Sequence, residues 1–368
     1  MSILARKNLF HDRVRLVVTL TGIVFALVLI VVQFGLFMGF LDTSANVVAQ
    51  NKADLWIAAR GIPHVNGGAP LDERIRYKIL SVPRVEKAVK YAIFFVVWKL
   101  PTGASETVQI VGYDLDSALG GPWNVAAGSV DALRGQDTII VDDLYKERLG
   151  VHGIGDQVEI GGHRARVVGL THGIRSFTTT PYIFTSFKNA QNYARLREDQ
   201  TIYILIQGSA RKADIEARVP EVDVFTNQEM LHKTQFYWVF STGAGITTLI
   251  GAVLGLLVGI VVVAQTIYAA TVDHIREFGT LKAMGAKNGY IYRVIIEQAL
   301  ISAVLGYSMA IGISYLVVRG SEGGGAAILL TTEMIWGTLL LAMGMCVVAS
   351  VISIRKVTTL DPAMVFRG

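Results

Sequence analysis

Four long apolar runs limit what this chain can become. The first, Leu16 to Leu41, holds no formal charge and one strongly polar side chain, Gln33. The others lie late in the chain, at Phe240 to Val272, Val294 to Val318 and Met334 to Ile354. At 1.5 Å per residue, about 20 helical residues cross a hydrocarbon core of roughly 30 Å, so each run is long enough to span. A content of 52% hydrophobic and 17% charged residues excludes a set of wholly soluble domains. For the first run the alternative is a cleaved signal, since Arg6, Lys7, Arg13 and Arg15 precede it. The run exceeds a signal core in length, and Asp42-Thr43-Ser44 offers no small-x-small cleavage site, which favours a retained anchor.

Between the first two runs the composition becomes that of a soluble domain. The patterning predicts strands at Tyr91 to Leu100, Thr107 to Tyr113, Thr138 to Val141, Gln157 to Ile160, Ala165 to Leu170 and Ile202 to Gln207. It predicts helices at Leu71 to Ser81, Asp142 to Leu149, Ser186 to Leu196 and Arg211 to Arg218. The expected fold class is an α-helical membrane protein with four transmembrane helices plus an α+β extracytoplasmic domain inserted between the first and second.

Basic residues set the expected orientation. Arg6, Lys7, Arg13 and Arg15 precede the first run; Arg276, Lys282, Lys287 and Arg293 lie between the second and third; Arg355, Lys356 and Arg367 follow the fourth. The loop between the third and fourth runs has only Arg319. Both termini and the segment around Arg276 are therefore expected on the cytoplasmic side of the membrane, with the large domain outside. The organisation reads as a tail and first span (1–41), an extracytoplasmic domain (42–237), a stalk and second span (238–272) and a cytoplasmic connection (273–293). A third span (294–318), a short external loop (319–333), a fourth span (334–354) and a cytoplasmic tail (355–368) complete it. The second run exceeds what a bilayer needs, so its start is expected to rise as a helical stalk. The net charge of +5 follows from these flanking residues and gives no reason to expect a nucleic-acid partner.

Catalytic patterns are missing from the sequence. It contains no Gly-x-x-x-x-Gly-Lys-Ser/Thr, His-Glu-x-x-His or Gly-x-Ser-x-Gly. Its one cysteine, Cys346, sits in an apolar run, and the seven histidines show no metal-ligand spacing. The glycines of Arg319 to Gly325 form a turn and do not follow a strand as a phosphate loop does. Asp142-Asp143 pairs two carboxylates, but neighbours at a helix start point apart, and a helix-dipole role suffices. No cofactor or metal site and no catalytic residue is expected in this chain.

Three features of the spans stand out. Gly251, Gly255 and Gly259 recur every four residues and predict a close-packed helix face, whose partner lies either within the chain or in a second copy. Gln265 is read as an interhelical hydrogen bonder. Glu297, at the start of an apolar run, either acts in function or simply reaches water or Arg293. Between the second and third runs, Ile275, Phe278 and Leu281 sweep about 120° of a helix as a contact face, bordered by Arg276, Glu277 and Lys282. Gly285 reads as that helix's C-terminal stop.

Four stretches of this sequence resemble the ABC transporter permeases of the MacB/FtsX/LolC type, the mechanotransmission class. They are Arg276 to Ala286, Glu297-Gln298-Ala299-Leu300 with Gly306, the tail Asp361-Pro362-Ala363-Met364-Val365-Phe366-Arg367, and the module Leu149 to Val151 with Gly155 to Gly162 leading into Val167 to Leu170. In the tail, Phe366 stands where the family commonly has leucine.

The resemblance implies two permease copies, homo- or heterodimeric, bound to a separate ABC ATPase subunit that carries ATP and Mg. Ile275, Arg276, Glu277, Phe278, Leu281, Lys282, Met284 and Gly285 then form the ATPase-coupling segment. Only about fifteen residues precede the first span, which sets the chain apart from MacB's fused ATPase. The wording of Thr280 to Gly285 is most similar to DevC-type permeases, implying export of a lipid, glycolipid or similar amphipathic substrate. A periplasmic membrane-fusion adaptor and an outer-membrane channel are further implied partners, alongside membrane lipids. The alternatives are an FtsX-like signalling subunit that activates an extracytoplasmic enzyme and a haem or small-molecule efflux permease.

Overall fold

A computed structural model describes residues 13–273, 275–321 and 327–358, without the side chains of 15, 275, 276, 278, 283 and 352–358. The tail motif at Asp361 to Arg367 and most of the Arg319 to Gly325 turn lie outside the described residues. The chain divides into two compact units, one of residues 1–39, 246–324 and 328–368, the other of residues 40–245 and 325–327.

Elements run in the order α1 (Arg13–Ser44), α2 (Asn46–Ala49), β1 (Leu55–Ala59), β2 (Leu71–Asp72), α3 (Arg74–Leu80), β3 (Val85–Lys99), β4 (Ser105–Tyr113), β5 (Val125–Gly128) and β6 (Thr138–Asp142). Then come α4 (Lys146–Leu149), β7 (Gln157–Ile160), β8 (His163–Thr171), β9 (Tyr182–Ser186), α5 (Phe187–Tyr193), β10 (Gln200–Thr201), β11 (Tyr203–Gly208), α6 (Lys212–Arg218), β12 (Val222–Thr226) and α7 (Asn227–Phe236). The chain continues through α8 (Ala244–Asp273), α9 (Ile275–Ala283), α10 (Asn288–Ser321) and α11 (Thr332–Thr358).

Among the described residues, four helices are long and apolar enough to cross a membrane: Leu16–Ser44, Ala244–Asp273, Asn288–Ser321 and Thr332–Val351. Small side chains let them approach. Ile23, Ala26 and Leu27 of α1 pack with Val263 and Ile267 of α8, Ala299 and Ala303 of α10, and Cys346 and Ala349 of α11. The backbone of Gly35 accepts from the Leu329 N–H at 3.1 Å, which fastens the segment entering α11 to α1.

The other unit is built on a ten-stranded sheet in the order β12-β1-β11-β3-β4-β9-β6-β8-β5, with β7 bridging β3 and β8. Pairing is parallel between β4 and β9 and between β6 and β8, and antiparallel elsewhere. The long strand β3 serves two cores. At one end Trp56, Tyr91, Tyr113, Phe184 and Tyr203 are buried together; at the other Trp98, Ile110, Val141 and Val167 are. Helix α5 lies on β4 where Gly112 leaves room: a Cβ there would collide with Ala190.

Several predicted elements have different bounds. β3 starts at Val85 rather than Tyr91, and the predicted helix at Leu71 divides into β2 and α3, with Asp72 accepting from the Arg74 N–H at 2.8 Å. The predicted helix from Asp142 is instead the end of β6, a 3₁₀ turn over Asp143–Tyr145 and one turn of α4. The apolar run from Phe240 does not enter the membrane helix continuously. A π-turn at Tyr237–Ser241 precedes Gly243, whose φ of 77° breaks the helix before Ala244.

Candidate functional site

Helix α9 is short, and its end is built by local chemistry. The N–H of Gly285 bonds the Lys282 carbonyl, and the N–H of Ala286 bonds the Leu281 carbonyl, both at 3.0 Å. With Gly285 at φ 93°, this is a Schellman cap, the stop that the glycine predicted. The chain then turns and enters α10 at Asn288.

Of the expected contact face, only the Leu281 side chain is described. Leu281 packs against Ile291, Val294 and Ile295 at the start of α10, so it faces its own chain. The exposed positions are Glu277, Thr280 and Met284, the last 72% exposed. Spaced three and four residues apart, they share one helix face. Lys282 is half-buried, and the side chains of Ile275, Arg276 and Phe278 lie outside the described ones.

Glu297 accepts from the Arg293 guanidinium, Nε to Oε1 at 3.0 Å, and is 16% exposed while the arginine is 69% exposed. One turn apart on α10, the pair holds the carboxylate by a local ion pair.

Gly251, Gly255 and Gly259 all face α1. A Cβ on Gly251 or Gly255 would stand 3.3 Å from Gln33, and one on Gly259 would stand 2.6 Å from Ile30 Cδ1. The glycines let α1 and α8 of the same chain approach, and the dimer alternative for this face is not needed. Gln265 is exposed and makes no interhelical hydrogen bond among the described residues, contrary to expectation. A cavity of about 590 Å³ opens between α1, α8 and α11, lined by Ile30, Phe34, Leu249, Val253, Met334 and Leu341, with Thr331, Glu333 and Thr338 as its polar residues.

In the sheet-bearing unit, two sites escaped the sequence. Around the π-turn, His64 stacks on Tyr237 with ring centroids 4.2 Å apart and on Trp238 at 4.9 Å. Phe177 joins Trp238 at 4.4 Å and Phe40 at 5.1 Å. Burial within this aromatic cluster lowers the His64 imidazole pKa from its ordinary value.

The second site is Asp142, fully buried at the end of β6. Its Oδ2 accepts from the Ile174 N–H at 2.8 Å and from Thr171 Oγ1 at 2.9 Å. Its Oδ1 accepts from the N–H groups of Leu144 at 3.1 Å and Gly173 at 3.2 Å. The neighbouring Asp143 instead pairs with His172 at 2.9 Å on the surface. That carboxylate raises the His172 pKa through hydrogen bonding and charge. Adjacency in sequence therefore conceals two unlike carboxylates, and Asp142 anchors the loop that carries Phe177.

Four helices apolar enough to span, with a mixed sheet domain between the first and second, outline a membrane protein carrying one large folded module. The comparisons with known proteins agree. Residues 16–222 match the MacB-like periplasmic core domain, and residues 249–362 match the FtsX-like permease C-terminal domain. The chain belongs to this MacB/FtsX-type family of ABC transporter permeases.

An uncharacterised ABC transporter permease of Mycobacterium tuberculosis is 23% identical over 96% of each chain. The macrolide export ATP-binding/permease protein MacB of Shewanella oneidensis is 25% identical over 70% of this chain and 41% of that protein. Among solved structures, the periplasmic region of MacB from Actinobacillus actinomycetemcomitans aligns with a TM-score of 0.36 and 10% identity, covering 47% of this chain and 88% of that one. The extracellular domain of the transporter YknZ from Gram-positive bacteria aligns with a TM-score of 0.36 and 13% identity, over 47% and 99%.

Proposed function

We propose that this permease works with a separate ABC ATPase that docks on α9, and that ATP-driven motion passes through the membrane helices to the external domain. The observation that carries this reading is the exposed face of Glu277, Thr280 and Met284 on a capped helix between the second and third spans. No nucleotide-binding motif occurs in the 368 residues, so ATP and Mg belong to the partner in this reading. Arg276, Lys282, Lys287 and Arg293 support a cytoplasmic α9, and Arg6, Lys7, Arg355 and Lys356 support cytoplasmic termini. Two permease copies complete the assembly.

The substrate in this reading is hydrophobic or amphipathic, a lipid or glycolipid, moved outward with an adaptor. The apolar cavity between α1, α8 and α11 supports it, since a groove bordered by membrane helices is filled from the hydrocarbon phase. A signalling role is the second reading. It is favoured by Phe95 and Val97, adjacent outward positions of β3 that are 44% and 56% exposed and offer an apolar contact to a soluble partner.

Met284→Glu tests the docking claim. At so exposed a position the substitution should change the permease's own stability by less than about 0.5 kcal/mol. Buried under a partner, it should weaken ATPase binding about tenfold, as loss of a contact of about 1.4 kcal/mol does. Co-purification and substrate-stimulated ATP hydrolysis are the readouts. Undiminished binding and coupling in Met284→Glu would remove α9 as the docking element.

A further inference from the structure

The ten-stranded sheet has a gap along its longest strand. On one edge of β3, β11 pairs with it from Val85 to Tyr91 and β7 pairs with it at Trp98 and Lys99, so neither covers Ala92 to Val97. That is about 20 Å of strand. The direction of its hydrogen-bonding groups follows from its neighbours. Gln109, opposite Phe95, donates its N–H to the Pro181 carbonyl at 2.8 Å, on the side of β4 away from β3. The Val97 carbonyl accepts from the Gly161 N–H at 3.0 Å, on the gap side. Groups two residues apart on a strand point the same way, so the N–H and C=O of Phe95 both face the gap. Among the described residues, no strand or loop bonds them there.

A groove of about 520 Å³ runs beside this edge, lined by Phe94, Val96, Tyr193 and Arg195 and bordered by the exposed Phe95 and Val97. Ala92 pairs with Gly112, on which α5 lies, so Phe94 and Val96 share the α5 face while Phe95 and Val97 occupy the opposite one. The groove's other charged residues, Lys99 and Glu159, pair with each other at 3.5 Å, whereas Arg195 has no ion pair among the described residues. Its net charge is therefore positive. The Arg195 and Leu196 N–H groups bond the Asn192 and Gln191 carbonyls at 3.1 and 3.0 Å, a cap that ends α5 with Arg195 at φ 54°. Glycine takes that angle without strain, so the arginine is held beside the groove against its backbone preference.

The geometry points to this edge of β3 as a site of strand addition, where an extended peptide segment of an extracytoplasmic protein pairs with Phe95 and presents an acidic side chain to Arg195. Side chains alternate along such a segment, so apolar residues rest against Phe95 and Val97 on one face while the acidic residue reaches Arg195 on the other. A purely apolar ligand in the groove leaves the Phe95 N–H and C=O unanswered; a strand answers both. The inference takes from the proposed function only the placement of this domain outside the membrane, so its failure leaves ATPase docking and export as they stand.

The test uses the full permease in detergent, without an ATPase, and a blocked peptide about six residues long with valine at alternate positions and one glutamate between them. Hydrogen exchange should find the Phe95 amide exchanging fast in the free protein and protected on binding. Two N-methylated forms, each blocking one alternate set of backbone amides, separate strand pairing from side-chain contact. The form methylated toward β3 loses both bonds to Phe95 and should bind about thirtyfold more weakly, while the other should bind as the parent does. Lysine in place of the glutamate should weaken binding about threefold, and Arg195→Glu should reverse that preference. Arg195→Gly relaxes the backbone angle and should keep the fold while erasing the preference. Equal binding of the two methylated forms, or no binding of any peptide at about 1 mM, would overturn strand addition. A Phe95 amide already protected in the free protein would overturn it as well, since the chain itself or a second copy would then fill the edge. A charge preference unchanged in Arg195→Gly would remove the acidic contact.

Discussion

Asp142→Asn should cost the external domain about 3 kcal/mol, and the figure follows from the four hydrogen bonds that its carboxylate accepts. An asparagine offers one acceptor oxygen and one NH₂ group. If the oxygen keeps the Leu144 and Gly173 N–H groups, the NH₂ faces Thr171 and Ile174. The Thr171 hydroxyl can rotate to accept, but the Ile174 N–H is left donor against donor. Hydrogen bonds to a charged group are worth about 1.5–3 kcal/mol each, and an orphaned buried donor costs about 1–3 kcal/mol. Losing one charged bond outright, with partial recovery at Thr171, gives about 3 kcal/mol. For a domain of this size that lowers the thermal midpoint by roughly 6–12 °C. Asp143→Asn is the internal control: its pair with His172 lies on the surface, where water screens it and its contribution is small. Scanning fluorimetry of the whole protein reports the midpoint, and hydrogen exchange reports the Gly173 and Ile174 amides. Equal midpoints for the two variants, with the Ile174 amide as protected as in the native chain, would refute the assignment of Asp142 as the loop's anchor.

Gly259→Ile places a branched side chain where even a Cβ stands 2.6 Å from Ile30 Cδ1, so it should destabilise the α1–α8 contact by about 1–3 kcal/mol. Gly259→Ala should be milder because the tip of Ile30 can turn aside; a thermal series in detergent in which the isoleucine variant matches the native protein would contradict the packing. The His172–Asp143 pair has a pH signature. The folded-state pKa of His172 is raised, so its contribution is complete below the ordinary value of 6.5 and is lost as pH rises through the folded value. The thermal midpoint should carry a small component that falls above that pH and vanishes in Asp143→Asn; a titration of the His172 ring at or below 6.5 would exclude the pairing in solution.

The membrane architecture was legible because it depends on sums: a long apolar run is a span whichever of its residues face inward. The cap of α9 was legible for the opposite reason, since Gly285 settles it through one backbone angle that other residues rarely adopt. What could not be read was direction. The arc of Ile275, Phe278 and Leu281 identifies a face without saying what lies against it. Leu281 is claimed by Ile291, Val294 and Ile295, which belong to the next helix, and the exposed side passes to Glu277, Thr280 and Met284.

The same limit accounts for the rest. Strands β1, β9 and β12 are short runs with few of the alternating polar positions that mark a half-exposed strand, and their partners are distant in sequence. The break at Gly243 was hidden by the hydropathy of the residues around it. Gln33 was visible as the single strongly polar side chain of the first span, yet its meaning depends on lying over Gly251 and Gly255, more than two hundred residues later. Half-buried over those two glycines, it marks where the first two membrane helices come together, which only the packed fold can reveal.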